Sequence, residues 1–289
     1  MNVQRLRQDL LSFSAPMPAL ILGVFTMRQL GVRTSVWSTN FAAAAVGLLV
    51  FALIRSAAGP ANLSRWYWTA AGSITAILFT FVAHGLDGVH RWVYVGNLGL
   101  HASAIVAPVI IVCVATAPTR RAAIAIAIAT AILLALQPDA AQATSFAAGC
   151  GLIFIQALRF GRSARAAVLT ALIACAIVSI VRKDPLHPVR YVEGIFNVVS
   201  AKGPAWALLA SVTLLLLPVP FVLAWARRRQ ALSLGLAVYV AMVTIAPTWG
   251  TFPVPIMGYG VSPILGYFIA LALCAGSASI ESPASSAPS

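Results

Sequence analysis

The run RAAIAIAIATAILLAL, Arg121 to Leu136, decides what kind of chain this is. Ile124, Ile126 and Ile128 alternate with alanine. In a water-soluble protein that period of two reads as a strand. In lipid it reads as a helix, because a lone strand in hydrocarbon leaves its backbone N–H and C=O groups without partners. Composition settles which solvent applies. The 289 residues are 61% hydrophobic and 9% charged, with a mean hydropathy of +0.93. A soluble domain carries roughly 25% charged residues. A chain with so few charges cannot cover a surface that faces water. The expected class is an all-α polytopic integral membrane protein, and a barrel would show short alternating segments throughout.

Working outward from that run, ten spans are predicted: near 17–34, 38–56, 66–84, 98–117, 121–136, 143–159, 165–182, 204–226, 231–248 and 261–277. The first holds Met27-Arg28-Gln29, so its end before Arg28 is an open alternative. Residues 1–277 are expected to form a single transmembrane domain, and 278–289, rich in Ser, Ala and Pro, a disordered cytoplasmic tail. No convincing small-residue cleavage site follows the N-terminal stretch. Cys113, Cys150, Cys175 and Cys274 all fall in apolar runs without metal-ligand spacing and read as small core residues. The net charge of +13 would suggest nucleic acid in a soluble protein. Here the basic residues sit in short loops, where topology and anionic lipid account for them, and no nucleic-acid partner is expected.

Loop charges set the predicted orientation. With both termini cytoplasmic, twelve of the 19 basic residues fall inside and seven outside, as positive loops resist translocation. Arg227, Arg228 and Arg229 are among the inner ones, and Asp87, Asp139, Asp184 and Glu193 all fall outside. The longest polar loop, Arg182 to Gly203, also lies outside and carries Asp184, Arg190, Glu193 and Lys202. Such a mixture suits a polar headgroup with phosphates and hydroxyls; it equally suits a solvated rim, where ion pairs are weak.

Three further stretches carry polar groups at predicted span ends. In Gly88 to Ser103, glycines permit a tight turn, Trp92 and Tyr94 suit the membrane interface, and Arg91 offers a bidentate fork to a phosphate or carboxylate. The alternative for Arg91 is a snorkelling arginine in an aromatic belt. At Gln137-Pro138-Asp139, proline ends a helix and Asp139 needs a partner or water. It either orients an arginine or a substrate hydroxyl, or it accepts nearby backbone N–H groups. From Trp249 to Pro263, prolines and glycines in an apolar stretch forbid a regular helix. Irregular backbone at that depth is tolerated only against protein or a wet cavity, so a partly embedded loop is expected. His90, His101 and His187 lie too far apart in sequence to read as a metal site.

Taken together, these stretches resemble the SEDS family (shape, elongation, division and sporulation proteins of the FtsW/RodA type), in a divergent and shortened form. The family's G-x-x-RW-x-x-x-G stretch, leading to F-Q-P-S-E, is matched by Gly88, Arg91, Trp92, Gly96 and Ser103. The family glutamine, proline and glutamate stand here as His101, Ala102 and Ala104, and a following lysine as Ala107. The family QPDLGT is matched by Gln137-Pro138-Asp139, and P-L-P-F-x-S-Y-G-G-S by Pro253 to Ser262, with Pro255, Tyr259, Gly260 and Ser262 in place. Glu193 falls on the family's essential external aspartate and Tyr191 on its histidine, in a shorter loop.

The resemblance implies ten spans in a bacterial inner membrane and an external cavity fed from lipid. It implies a glycosyltransferase acting on a polyprenyl-diphosphate-linked, lipid II-like sugar in cell-wall synthesis, shape or division. Glu193 would be the general base and Asp139 would orient a cation. Arg91, Arg190 and Lys202 would neutralise the diphosphate. Trp92, Tyr191 and Gln137 would lie beside the substrate, and Pro255, Tyr259, Gly260 and Ser262 would shape the wall. It allows a divalent cation as an assistant and a single-span partner of the penicillin-binding-protein type, with membrane lipid around both. Two other readings stay open. One is a non-catalytic scaffold or precursor-binding protein, which the alanines at 104 and 107 favour. The other is a lipid flippase or small transporter, although its spans lack the mid-membrane charges that ion coupling uses.

Overall fold

The computed structural model describes residues 13–57, 63–156, 161–182 and 184–276. The predicted tail at 278–289, the N-terminal residues 1–12, Arg159 and Lys183 lie outside the described residues. The helices are α1 (Met17–Gln29), α2 (Thr34–Ser56), α3 (Leu63–Val82), α4 (Ala102–Ala115), α5 (Arg120–Leu136), α6 (Ala140–Gln156) and α7 (Arg162–Val181). They continue with α8 (Ile195–Ser200), α9 (Pro204–Leu215), α10 (Val219–Arg228), α11 (Ala231–Ile245) and α12 (Val261–Gly276). Two strands, β1 (Trp92–Val95) and β2 (Leu98–His101), precede α4.

The deciding run is helical. Its buried residues are Ala123, Ile126, Ala127, Thr130, Ala131, Leu134 and Ala135. That is the i, i+3, i+4 spacing of one helix face. The alternating isoleucines therefore do not share a side: Ile126 is buried, while Ile124 and Ile128 are only partly so.

A helix or a bent helix pair occupies each of the ten predicted segments. By length and apolarity, Thr34–Ser56, Arg162–Val181 and Ala231–Thr248 are each able to cross a membrane, and α9 with α10 makes a fourth if counted as one bent span. That pair bends by 41° at the break before Val219. Pro218 and Pro220 sit there and remove two backbone donors. The first helix runs through Arg28 to Gln29. The predicted span 98–117 needs correction, because Leu98–His101 is a strand and the helix begins at Ala102. The reason is the two-residue Gly96-Asn97 connection, with Gly96 at φ 59, in the position a type II′ turn reserves for glycine.

Helix α4 is the hub and packs against α3, α5, α6, α11 and α12. Close approach depends on small residues, as is usual where lipid offers helices no hydrophobic drive to associate. A Cβ on Gly149 would lie 2.8 Å from the Gly235 carbonyl oxygen, joining α6 to α11. A Cβ on Gly266 of α12 would lie 1.9 Å from the Ala104 carbonyl oxygen. Pro108, inside α4, lacks the N–H that would have bonded that same carbonyl. The outward faces carry Leu49, Leu53, Phe79, Ile177, Leu208 and Leu215, all exposed. In a chain of this composition, exposed apolar side chains of this kind face lipid.

Candidate functional site

The polar loops meet at one end of the bundle, and the C-terminus of α5 is where they join. A helix end leaves carbonyls without intrahelical donors. Here the backbone N–H groups of Gln137 and Asp139 take the carbonyls of Leu133 and Leu134. Arg182, just past α7, donates from Nη1 to the carbonyls of Ala135 (3.1 Å) and Leu136 (3.0 Å). Arg91 donates from Nε to Gln137 (3.3 Å) and from Nη2 to Pro138 (2.5 Å). Two arginines from distant parts of the chain thus finish the turn between α5 and α6, at the negative end of the α5 dipole. Arg91 is 6% exposed, so it is not a snorkelling rim residue. Its Nη1 lies 2.7 Å from Asp184 Oδ2, and Asp184 Oδ1 accepts the N–H of Leu186 at 3.1 Å. Gln137 is fully buried and donates from Nε2 to Thr80 Oγ1 at 2.6 Å.

Asp139 stands just beyond that turn and is 4% exposed. Oδ1 accepts the N–H of Gln142 at 3.2 Å and so caps α6. Oδ2 lies 3.2 Å from His101 Nε2 and accepts Ser103 Oγ–H at 3.2 Å. His101 Nδ1 accepts the N–H of Ala104 at 3.4 Å, which leaves the Nε2 proton facing the carboxylate. The His101 N–H donates to Ser262 Oγ at 2.8 Å, tying β2 to the start of α12, and Trp92 packs edge-on against the imidazole. Burial alone would raise the Asp139 pKa. His101, Arg91 and the Gln142 N–H outweigh it and hold the carboxyl at about 2.

The resemblance implies that Asp139 orients one of the cations, Arg91 among them. In the structure Asp184 is the ionic partner, and Asp139 acts on Arg91 only through space. His101 takes the contact instead.

Glu193 lies in a tightly wound turn. The Val189 carbonyl accepts the N–H groups of Val192, Glu193 and Gly194, and Glu193 Oε2 accepts the Val189 N–H at 2.7 Å. The carboxyl pKa is raised, first by partial burial and further by Asp184; the Val189 N–H, its own N–H and Arg91 act in the opposite sense. Glu193 and Asp139 therefore both lie within the field of Arg91.

The other two expected phosphate ligands lie elsewhere. Arg190 is exposed and lines a depression with Arg33. Lys202 contacts Gln29 Oε1 and sits 5.2 Å and 5.0 Å above the rings of Phe25 and Trp206. The expected trio of cations thus keeps three different sets of contacts. Lys202 follows α8, which packs against α1.

The loop from Pro253 to Gly260 is embedded, with Val254 to Gly258 all buried. Protein, not water, accounts for its irregular backbone. Asn40, fully buried in α2, donates to the Gly258 carbonyl (3.0 Å) and accepts the Gly260 N–H (3.2 Å). The N–H groups of Val254 and Tyr259 reach the carbonyls of Val192 and Tyr191, and the rings of Tyr191 and Tyr259 meet edge to face. The Glu193 turn is therefore strapped to this wall. Pro255 also borders a narrow cavity of about 40 Å³ that Gln142, Tyr239, Thr244 and Tyr267 help to line. Tyr239 there donates to Gln142 Oε1 at 2.8 Å.

Sequence reasoning gave no role to Asp184, Arg182, Ser103 or Asn40. Asn40 had a usable signal, a lone amide in an apolar span. The other three are fixed only by tertiary packing. Among the described residues, no group of three or more His, Cys, Asp or Glu is placed to hold a metal ion.

No family model and no curated protein matches the chain. Solved structures do. The rod shape determining protein RodA of Thermus thermophilus is similar with a TM-score of 0.69 and 19% identity, over 92% of this chain and 94% of that one. A single-residue mutant of the same protein gives 0.69 and 20%, over 92% and 95%. A chain from a structure described as "structural coordination of polymerization and crosslinking by a peptidoglycan synthase complex" gives 0.66 and 19%, over 93% and 98%. At such identity the likeness establishes the fold, which is the multi-pass membrane fold of RodA.

Proposed function

We propose that this chain is a SEDS-type membrane protein of cell-envelope synthesis, acting as a glycosyltransferase on a polyprenyl-diphosphate-linked sugar. The observation that carries the reading is the shared charge field around Arg91. On a RodA-type fold, this buried guanidinium couples Asp184, Glu193 and Asp139 at one end of the bundle. Glu193 is the general base. Its raised pKa, caused first by partial burial, makes it a better proton acceptor than an ordinary carboxylate. It takes the proton of an acceptor sugar hydroxyl as that oxygen attacks the donor's anomeric carbon, and the diphosphate leaves. Asp139, Gln137 and Trp92 act by holding the hairpin and the α5–α6 turn in register. Tyr191, Pro255, Tyr259, Gly260 and Ser262 form or brace the wall behind Glu193. A divalent cation, if used, would assist the leaving diphosphate.

The membrane is the bacterial inner membrane, with both termini in the cytoplasm and the helices from Met17 to Gly276 in one transmembrane domain. The partner is a single-span protein of the penicillin-binding-protein type. The test is polymerisation of lipid-linked precursor by the purified protein. Glu193→Gln is expected to abolish it while the thermal unfolding midpoint stays put. An unchanged rate removes Glu193 as the base.

One observation favours a second reading, a scaffold that binds the precursor without turning it over. Ala104 and Ala107 are buried where the related pattern carries a glutamate and a lysine, and Arg91 already spends three donor contacts on protein. Binding of precursor by wild type without product would decide for it.

A further inference from the structure

The cavity of about 40 Å³ beside Pro255 lies among α4, α6, α11, α12, the α9–α10 break and the embedded loop. Its α4 wall is Ala104 and Pro108. The surrounding helices cannot close the space. Gly266 brings α12 into backbone contact with Ala104 of α4, and Gly149 brings α6 into backbone contact with Gly235 of α11. Two helix pairs that already touch backbone to backbone have no further to move. At the α9–α10 break Tyr267 donates to the Leu217 carbonyl at 2.8 Å, which fixes the remaining wall.

Four of the lining residues, Gln142, Tyr239, Thr244 and Tyr267, are polar and buried. The three hydroxyl protons are already in use. Tyr239 donates to Gln142 Oε1, Thr244 to the Val240 carbonyl at 2.7 Å, and Tyr267 to Leu217. Each hydroxyl oxygen still has acceptor capacity. Gln142 is the converse: its Oε1 is taken, while Nε2 has no hydrogen-bond partner among the described residues. A buried donor left unpaired carries its full desolvation cost. The lining therefore holds an amide donor and three hydroxyl acceptors that do not satisfy one another. Water, which both donates and accepts, matches that set. No carboxylate or cationic side chain lines the cavity to neutralise a charged ligand. The space exceeds the roughly 10–15 Å³ that one water needs and is far below the roughly 300 Å³ at which pockets for larger ligands begin.

We propose that this cavity holds ordered water, at the place where the related pattern carries a glutamate side chain. Ala104 stands at that glutamate's position and lines the cavity with only a methyl group. The water accepts from Gln142 Nε2 and donates to the hydroxyl oxygens, so it ties α6 to α11 and α12. The backbone N–H of the same Gln142 caps Asp139 Oδ1, which places the water one residue from the buried carboxylate's network. The water site stands whether or not the chain transfers a sugar.

The test is X-ray radiolysis of the full-length protein in detergent micelles, with peptide mass spectrometry. Hydroxyl radicals formed from bound water add to adjacent rings even where bulk solvent does not reach. Tyr239 and Tyr267 are expected to be labelled several-fold faster than Phe51 and Phe154, buried rings that do not line the cavity. Labelling of both tyrosines at the rate of those phenylalanines shows a dry cavity and overturns the proposal. A104Q restores a side chain of the glutamate's length without its charge. It is expected to displace the water and bring both tyrosines down to the phenylalanine rate, and undiminished labelling in the folded variant overturns the assignment to this cavity. Q142L keeps the backbone N–H on Asp139 and removes the amide donor, so it gives the same readout without adding bulk beside α12. Its labelling is expected to fall several-fold, and a rate equal to wild type also counts against the site.

Discussion

Asp139 shows how far a single carboxylate's surroundings can be read from its neighbours. The sequence marks it as an acid at a span end that needs a partner, and the backbone-acceptor reading foresaw part of the outcome. It does accept a backbone N–H, from Gln142. Its other contact, His101, was recognised only as an isolated external histidine, because nothing in residues 101 and 139 announces that a hairpin and a helix turn will meet. The pairing of Arg91 with Asp184 was not foreseen for the same reason: residue 184 reaches it only after α7 has crossed the bundle. A testable consequence follows from the depressed pKa. With the folded value at about 2 and an ordinary unfolded one, Asp139 contributes stability that is fully present above the unfolded pKa and is lost as pH falls through about 2. The size is about 2 kcal/mol at neutral pH. Unfolding midpoints of wild type and D139N, followed from pH 7 to pH 2, are expected to converge at the acid end; parallel curves would show that the ionised carboxylate is not stabilising.

Among elements, helix positions were the most legible, since an apolar run in lipid has few alternatives. The hairpin at 92–101 was missed although its signal was present: two short runs, WVYV and LGLH, flank Gly-Asn at the spacing of a two-residue turn. The apolar run that follows masked it, and the predicted span began four residues early. The embedded loop at 253–260 was legible as irregular and buried, but its clamp was not, because Asn40 lies more than two hundred residues away. The seam between α4 and α12 gives a prediction at this scale. Gly266→Ala places a methyl 1.9 Å from the Ala104 oxygen, and backbone cannot yield as a flexible side chain would. It is expected to lower stability by about 1–3 kcal/mol, read as a reduced unfolding midpoint in detergent. Gly72→Ala, where a Cβ meets nothing within 4 Å, is the control and should be neutral or slightly stabilising.

At the scale of the whole molecule, composition was enough for the fold class, and the order of the three motif stretches was enough for the family likeness. The site was legible as a set of loops but not as a set of contacts, since its expected cations each keep different partners. Orientation carries the prediction at this scale. Cysteine introduced at Arg227, in the last turn of α10, should be labelled from the cytoplasm and protected from an impermeant reagent in intact cells; external labelling would invert the molecule. The shared grip of Arg91 and Arg182 on α5 also has a consequence for assembly. A ribosome releases the hairpin and α5 long before residue 182 emerges. Until then the carbonyls of Ala135 and Leu136 have only water or lipid headgroups to turn to. The turn that seats Asp139 is therefore completed late in membrane insertion, by a side chain from another segment, and a nascent chain halted before α7 would carry Arg91 and Gln137-Pro138-Asp139 and still lack the finished turn.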